Sequence, residues 1–326
     1  MERDINMKIV FIGGFDRLYD EEGKAKSFEK LGCTVLRIKE TSFSKKDLDN
    51  IKSWEPDLII SAKYLIKEEL LKQLFSFSKE KGIKTIAWHP DLYHFPCPVA
   101  NELRLAMIAN KHGLWEADYV FSPDGCSDSY KFYERCGINH RLIRQAPYDE
   151  TVGVYSDSDI SDLTTKEEIP ILFVGSMYDI NDPFRKYMVK FLQDEYGDKF
   201  LCLGQTEHQV REERLSTLIS KTKIVIGESL YFPGYWSNRV YESIGRGGFV
   251  IHPYVPGIEE EFEDGEECVF YNRWDFQELK KKIDYYLNND EERSIITKKG
   301  MDRVKKDHTL LNRCKEILEI VNEKGC

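Results

Sequence analysis

A chain of 326 residues, 41% hydrophobic and 13% aromatic, is too long for one ordinary core and too apolar to be mainly disordered. Its net charge of −10 is uneven: residues 1–150 hold 23 Lys and Arg against 24 Asp and Glu, and residues 151–326 hold 24 against 33. That balance disfavours sequence-independent nucleic-acid binding and polybasic attachment to a membrane, and leaves room only for a local basic groove in the first half.

The N-terminus, MERDINMKIVFIGG, passes from charges straight into a strand, without the pattern of a signal peptide, and no apolar run approaches the roughly 18 residues of a membrane span. A cytoplasmic location is the expectation. MKIVFIGG reads as a buried parallel strand, followed by a helix near 21–31 and the short strand TVLRI. The loop Gly13-Gly14-Phe15 lets backbone N–H groups approach an anion, or simply makes a tight strand-to-helix turn; it does not fit the dinucleotide fingerprint G-x-G-x-x-G. DLIIS (57–61), a helix near 66–81 and IKTIAW (83–88) come next. After that strand stands the proline-bounded loop Trp88-His89-Pro90-Asp91-Leu92-Tyr93-His94-Phe95-Pro96. His89, Asp91 and His94 could position an acceptor hydroxyl or touch a donor sugar, or the loop could be rigid and carry ordinary surface histidines. Metal binding lacks a supporting cluster elsewhere, so no metal is expected. DYVFS (118–122) and RLIRQ (141–145) complete a first set of strands alternating with helices, the pattern of a doubly wound parallel sheet.

Residues 149–168, DETVGVYSDSDISDLTTKEE, are polar and break the pattern. They predict a first domain over 1–150 and a linker over 151–168. Asp157-Ser158-Asp159 has the form of a metal-holding D-x-D, but such a motif belongs at a strand end and not in a polar linker. The alternation restarts with ILFVG (171–175), a helix near 184–196, FLCLG (200–204), a helix near 209–220 and KIVIG (223–227), giving a second α/β domain over 169–307. Gly175-Ser176 ends its first strand, and Asp182-Pro183 opens the next helix, from which Arg185 or Lys186 could reach a phosphate or merely be solvated. Eight cysteines (33, 97, 126, 136, 202, 268, 314, 326) form no C-x-x-C pair and read as reduced thiols.

The densest stretch is YFPGYWSNRVYESIGRGGFVIHPYVPGIEEEF, residues 231–262. Ser237 is a good N-cap for a helix that Gly247-Gly248 ends, before the buried strand FVIHP. Asn238, Arg239 and Glu242 share one face near the helix N-terminus. An arginine and backbone N–H groups suit a phosphate, and a carboxylate suits a pair of hydroxyls, so the face matches a ribose diphosphate. Tyr235 and Trp236 would stack on a base or fill the core. CVFY (268–271) and helices near 275–288, 291–306 and 309–323 close the chain.

The stretch GYWSNRVYESIGRGGFVIHPYVPGIEEEFEDGEECVFY, with DFQELKKKIDYYLNNDEERSIITKKG and HTLLNRCKEIL, resembles the CgeB-like, spore-maturation-type glycosyltransferases of the group 1 superfamily over roughly residues 220–318. The resemblance implies a GT-B architecture: two doubly wound Rossmann-like domains facing a cleft, the first on the acceptor side, the second binding a nucleotide sugar, and a C-terminal helix (308–326) packing back on the first. It implies transfer of a hexose or pentose from a UDP- or GDP-sugar co-substrate, with no obligatory cofactor, to a hydroxyl of a glycan, protein or small molecule, with retention; the same transfer to a modified base in DNA, as by a virus-type glycosyltransferase, is one alternative. Glu242 would hold the ribose hydroxyls, and Arg239, Arg185 and N–H groups near Gly13, Gly14, Gly175 and Ser176 the diphosphate. The His89–His94 loop would face the sugar and the acceptor. The retaining pattern of two glutamates eight apart is not met, because Gly234 stands eight before Glu242 and Glu228 is badly spaced. A sugar-nucleotide epimerase or a binding protein on the same scaffold is the other alternative. Arg239→Ala and Glu242→Ala are expected to abolish donor binding with the fold intact.

Overall fold

Continuous apolar runs become strands buried on both faces, and they dictate the architecture. The computed structural model describes residues 6–15, 21–62, 66–90, 102–154, 156–177, 182–204 and 210–322. It divides into two units, Met1–Tyr148 with Leu310–Cys326, and Asp149–Thr309.

In the first unit the order is β1 (Lys8–Gly13), α1 (Glu21–Lys30), β2 (Thr34–Lys39), α2 (Lys45–Trp54), β3 (Leu58–Ser61), α3 (Glu68–Lys81), β4 (Lys84–Trp88), α4 (Glu102–Ala109), β5 (Tyr119–Ser122), α5 (Ser127–Arg135) and β6 (His140–Leu142). The strands form one parallel sheet in the order β2-β1-β3-β4-β5-β6. Alternate residues of β1 serve opposite faces. Val10 and Ile12 pack with Leu48, Ile51 and Leu74. Ile9 and Phe11 pack with Phe28, Trp88 and three residues from the far end of the chain, Cys314, Ile317 and Leu318.

The second unit runs β7 (Ile169–Val174), α6 (Phe184–Tyr196), β8 (Phe200–Leu203), α7 (Glu212–Ser220), β9 (Thr222–Ile226), α8 (Arg239–Gly245), β10 (Val250–Pro253), β11 (Val269–Tyr271), α9 (Phe276–Leu287) and α10 (Asp290–Asp307). Its parallel sheet has the order β11-β10-β9-β7-β8. The last helix, α11 (Leu310–Asn322), belongs to the first unit: Arg313 Nε donates to the Arg144 carbonyl at 3.1 Å, and the Cys314 thiol to that of Lys24 at 3.5 Å. Among the described residues no helix is long and apolar enough to cross a membrane.

The segment read as a linker is part of the second unit. Ile160 is buried among Ile169, Leu172, Leu203, Val210 and Leu218, and Val152 is buried beside Val240 and Ile244. Thr217 on α7 donates to the Ser156 carbonyl (2.8 Å) and accepts from the Ser158 N–H (3.1 Å). Asp159 caps its own turn, accepting from the Ser161 N–H at 2.9 Å, which accounts for it without a metal.

Candidate functional site

In a doubly wound sheet, ligands lie beyond the carboxyl ends of the strands where the strand order reverses. In the second unit that point falls between β7 and β9, which are neighbours in the sheet although β8 separates them in the chain. Gly175 and Ser176 leave β7 there, and Glu228 leaves β9 two residues after its end.

Three charged side chains converge on this point. Arg185, one residue into α6, donates from Nε to Glu228 Oε2 at 2.7 Å and from Nη2 at 2.6 Å, while its Nη1 donates to the Ser176 carbonyl at 2.5 Å. Arg239, the first residue of α8, donates from Nη1 to the Glu228 carbonyl at 2.8 Å and lies 3.5 Å from the same carboxylate oxygen. Its guanidinium sits 5.4 Å from the centroid of the Phe173 ring. A Cβ on Gly175 would come within 2.8 Å of Arg239 Nη2, and one on Gly204 within 2.8 Å of the Gly175 backbone, so glycine at both positions is what lets the arginine lie over the end of β7. Burial drives the Arg239 pKa below its usual value; Glu228 opposes that, Arg185 adds to it, and the buried Tyr235 is near enough to contribute.

Glu242 has its own partner. Its Oε2 accepts from Arg246 Nε at 3.1 Å and Nη2 at 2.9 Å, and Arg246, 2% exposed, also donates to Ser216 Oγ (2.5 Å) and the Glu212 carbonyl (3.2 Å) on α7. That leaves Glu242 Oε1 with a long 3.4 Å contact from Asn238 Nδ2, and Asn238 Oδ1 buried with no hydrogen-bond partner among the described residues. The first turn of α8 and the residue before it therefore carry two lightly engaged acceptors.

The loop between β9 and α8 is pinned from below. The expected Ser237 N-cap is replaced by tertiary contacts: its hydroxyl donates to the Glu228 carbonyl (3.2 Å), its N–H donates to Ser229 Oγ (2.9 Å), and α8 starts after a helical Asn238 (φ −53°, ψ −24°). Ser229 Oγ is 2.9 Å from His252 Nε2, and His252 Nδ1 is 2.7 Å from the Pro253 carbonyl. A neutral imidazole protonated at Nδ1 satisfies both contacts, with the serine donating to Nε2 while it accepts from Ser237. Arg273 ties the Ser229 carbonyl (2.9 Å) to Asp182 ahead of α6. Desolvation pushes the His252 pKa down to about 3. The unfolded chain takes up that proton near 6.5 and the folded chain does not, so stability is full above pH 6.5 and falls as the pH drops toward 3, by about 1.4 kcal/mol per unit. Between pH 7 and 5 the wild-type protein should lose about 2 kcal/mol more than His252→Asn in urea melts; parallel losses in the two proteins would contradict a buried neutral imidazole.

Of the residues singled out in the sequence, Gly175, Ser176, Arg185, Tyr235, Asn238, Arg239 and Glu242 lie in the second unit. Trp236 takes the core reading: it is 2% exposed and donates from Nε1 to the Tyr241 hydroxyl at 2.7 Å. Gly13, Gly14 and His89 lie in the first unit. There the Gly14 N–H donates to the carboxylate of buried Glu21 at 3.1 Å, and His89, fully buried, packs its ring on Trp115 with centroids 4.6 Å apart. Asp91 and His94 lie outside the described residues. Sequence reasoning missed Arg246 and set Glu228 aside on its spacing. Arg246 is four residues after Glu242 on a helix, and Glu228 follows a glycine at a strand end, so both carried a signal. Among the described residues no group of three or more His, Cys, Asp or Glu could hold a metal ion.

Residues 185–319 match the family model described as glycosyl transferase-like. No curated protein matches the chain in sequence. Solved structures share its fold throughout. Anabaena Alr3699/HepE in complex with UDP and glucose has a TM-score of 0.62 at 14% identity, covering 97% of this chain and 99% of its own. Sucrose-phosphate synthase from Thermosynechococcus elongatus has 0.64 at 13%, covering 98% and 99%. A trehalose-6-phosphate synthase, from work on enzymatic glycosyltransfer with retention, has 0.65 at 10%, covering 97% and 99%. The fold is thus the GT-B fold, α/β with two parallel sheets and a C-terminal helix.

Proposed function

We propose that the chain is a glycosyltransferase that takes a hexose or pentose from a UDP- or GDP-sugar and places it on an acceptor hydroxyl with retention. The observation that carries this reading is the convergence of Arg185 and Arg239 on Gly175-Ser176 at the β7/β9 switch point. Two guanidiniums beside a strand-end loop suit a diphosphate. Glu242 Oε1 and Asn238 Oδ1 supply two acceptors for the two ribose hydroxyls. Uridine is the base the comparisons favour, since HepE binds UDP and UDP-glucose. The finer likeness to the spore-maturation group rests on residues 220–318.

In this reading the second unit holds the donor and the first the acceptor, with Asp91 and His94 as the acceptor-side candidates, while His89, fully buried against Trp115, has no surface with which to touch a substrate. The bond from the sugar's anomeric carbon to the diphosphate oxygen breaks, and one to the acceptor oxygen forms. Negative charge grows on the diphosphate, where Arg185 and Arg239 stabilise it. Retention follows a front-side course in which the leaving phosphate oxygen takes the acceptor's proton, so no carboxylate base is required. Calorimetric titration with UDP, GDP, UMP and the common UDP- and GDP-sugars tests the reading. One nucleoside diphosphate should bind at a single site and more tightly than its monophosphate. No heat with any of them would overturn it.

A further inference from the structure

We infer that Glu228 is a positioning residue for the leaving-group site: its buried carboxylate holds Arg185 and Arg239 side by side at the end of β7. The inference rests on the donor reading above. Glu228 is 1% exposed, so it has no surface with which to touch a ligand. Its Oε2 is within 2.7 Å of Arg185 Nε and 3.5 Å of Arg239 Nη1, which makes it the shared counter-charge of two cations that repel one another. The main chain joins in: the Glu228 carbonyl takes Arg239 and the Ser176 carbonyl takes Arg185. Each guanidinium is therefore anchored by a backbone oxygen and shares one carboxylate oxygen. Arg239 Nη2 is left turned toward Gly175. The cluster Arg185, Arg239 and Glu228 carries a net single positive charge, which suits a dianionic group without the full repulsion of a bare arginine pair.

The opposite role is also physical. A carboxylate between two arginines could be an internal anion that the diphosphate must displace. The two roles predict opposite signs. A positioning residue loses affinity when neutralised, and a competing anion gains it. Burial, and the attachment of Glu228 to the strand end through the same residue whose carbonyl anchors Arg239, favour positioning.

The test is calorimetry with UDP and UMP (GDP and GMP if guanosine is the base bound) on wild type, Glu228→Gln, Arg239→Gln and the double variant Glu228→Gln/Arg239→Gln. Glu228→Gln is expected to weaken UDP binding about tenfold or more, with UMP affected less, because the loss lies in the ion contacts to the second phosphate. In the Arg239→Gln background the same change should cost much less, because the arginine pair is already broken. If Glu228→Gln alone fails to fold, the double variant, which removes one charge of each sign, supplies the comparison with Arg239→Gln. UDP affinity that is equal or higher in Glu228→Gln, or a loss of the same size in both backgrounds, overturns the positioning role. Wild type that binds no nucleotide overturns the donor reading, and the positioning role falls with it.

Discussion

Arg239→Ala should lower nucleoside-diphosphate affinity on the order of a hundredfold while the protein stays folded. The arginine is half-buried, lies over Gly175 and against the Phe173 ring, and is anchored by the Glu228 carbonyl. Its loss removes a preorganised cation from the place where a diphosphate would sit. The effect on stability is expected to be small, for a reason visible in the pairing. Glu228 keeps Arg185 at 2.6 Å, so no buried carboxylate is stranded. The repulsion between the two arginines is also relieved. Arg239→Lys should restore little, because an ammonium is a point charge that cannot bond the carbonyl and face Gly175 in one plane. Thermal melts run beside the titrations separate the two effects. An affinity within about threefold of wild type, in a folded variant, would remove Arg239 from the site.

The architecture was legible because its signal is local. Runs such as IVFI, ILFV and IVI are apolar at every position, as strands buried on both faces must be, and the intervening helices alternate with them. The arginine and the carboxylate of α8 were legible from their spacing within one helix. What surrounds them was not, because it arrives from other elements. Ser237 reads as a cap by composition, yet Ser229 and the Glu228 carbonyl claim its N–H and hydroxyl. The polar segment 149–168 has no periodicity, and its order comes from isolated apolar residues, Val152 and Ile160, meeting a core built by later strands. Glu228 was discounted by counting along the chain from Glu242, whereas its role follows from the adjacency of β9 and β7 in the sheet. Sequence distance is the wrong measure at a switch point.

The same pairing logic revises the expectation that removing Glu242 leaves the fold intact. Arg246 and Glu242 face each other at 2.9 Å with side-chain exposures of 2% and 11%, and Arg246 also bridges to Ser216 on α7. Truncating either partner leaves the other buried without its counter-charge, a change that costs about 3–5 kcal/mol. Arg246→Ala should therefore lower the melting temperature of the second unit on the order of 10 °C, since each kcal/mol is worth roughly 2–4 °C at this size. Glu242→Ala should behave alike, so a loss of donor binding in that variant would not by itself assign the ribose contact. Glu242→Gln is the sharper probe: it keeps an acceptor for Arg246 and a neutral group of the same shape toward Asn238. It should cost less stability than the alanine and still weaken nucleotide binding if the ionised oxygen holds the ribose. Urea melts placing Arg246→Ala within about 0.5 kcal/mol of wild type would mean that the pair is solvated and contributes little, as exposed pairs do. A full-sized loss in Arg246→Ala, with Glu242→Gln folded and weak for nucleotide, would place Arg246 as the residue that holds the Glu242 carboxylate in place.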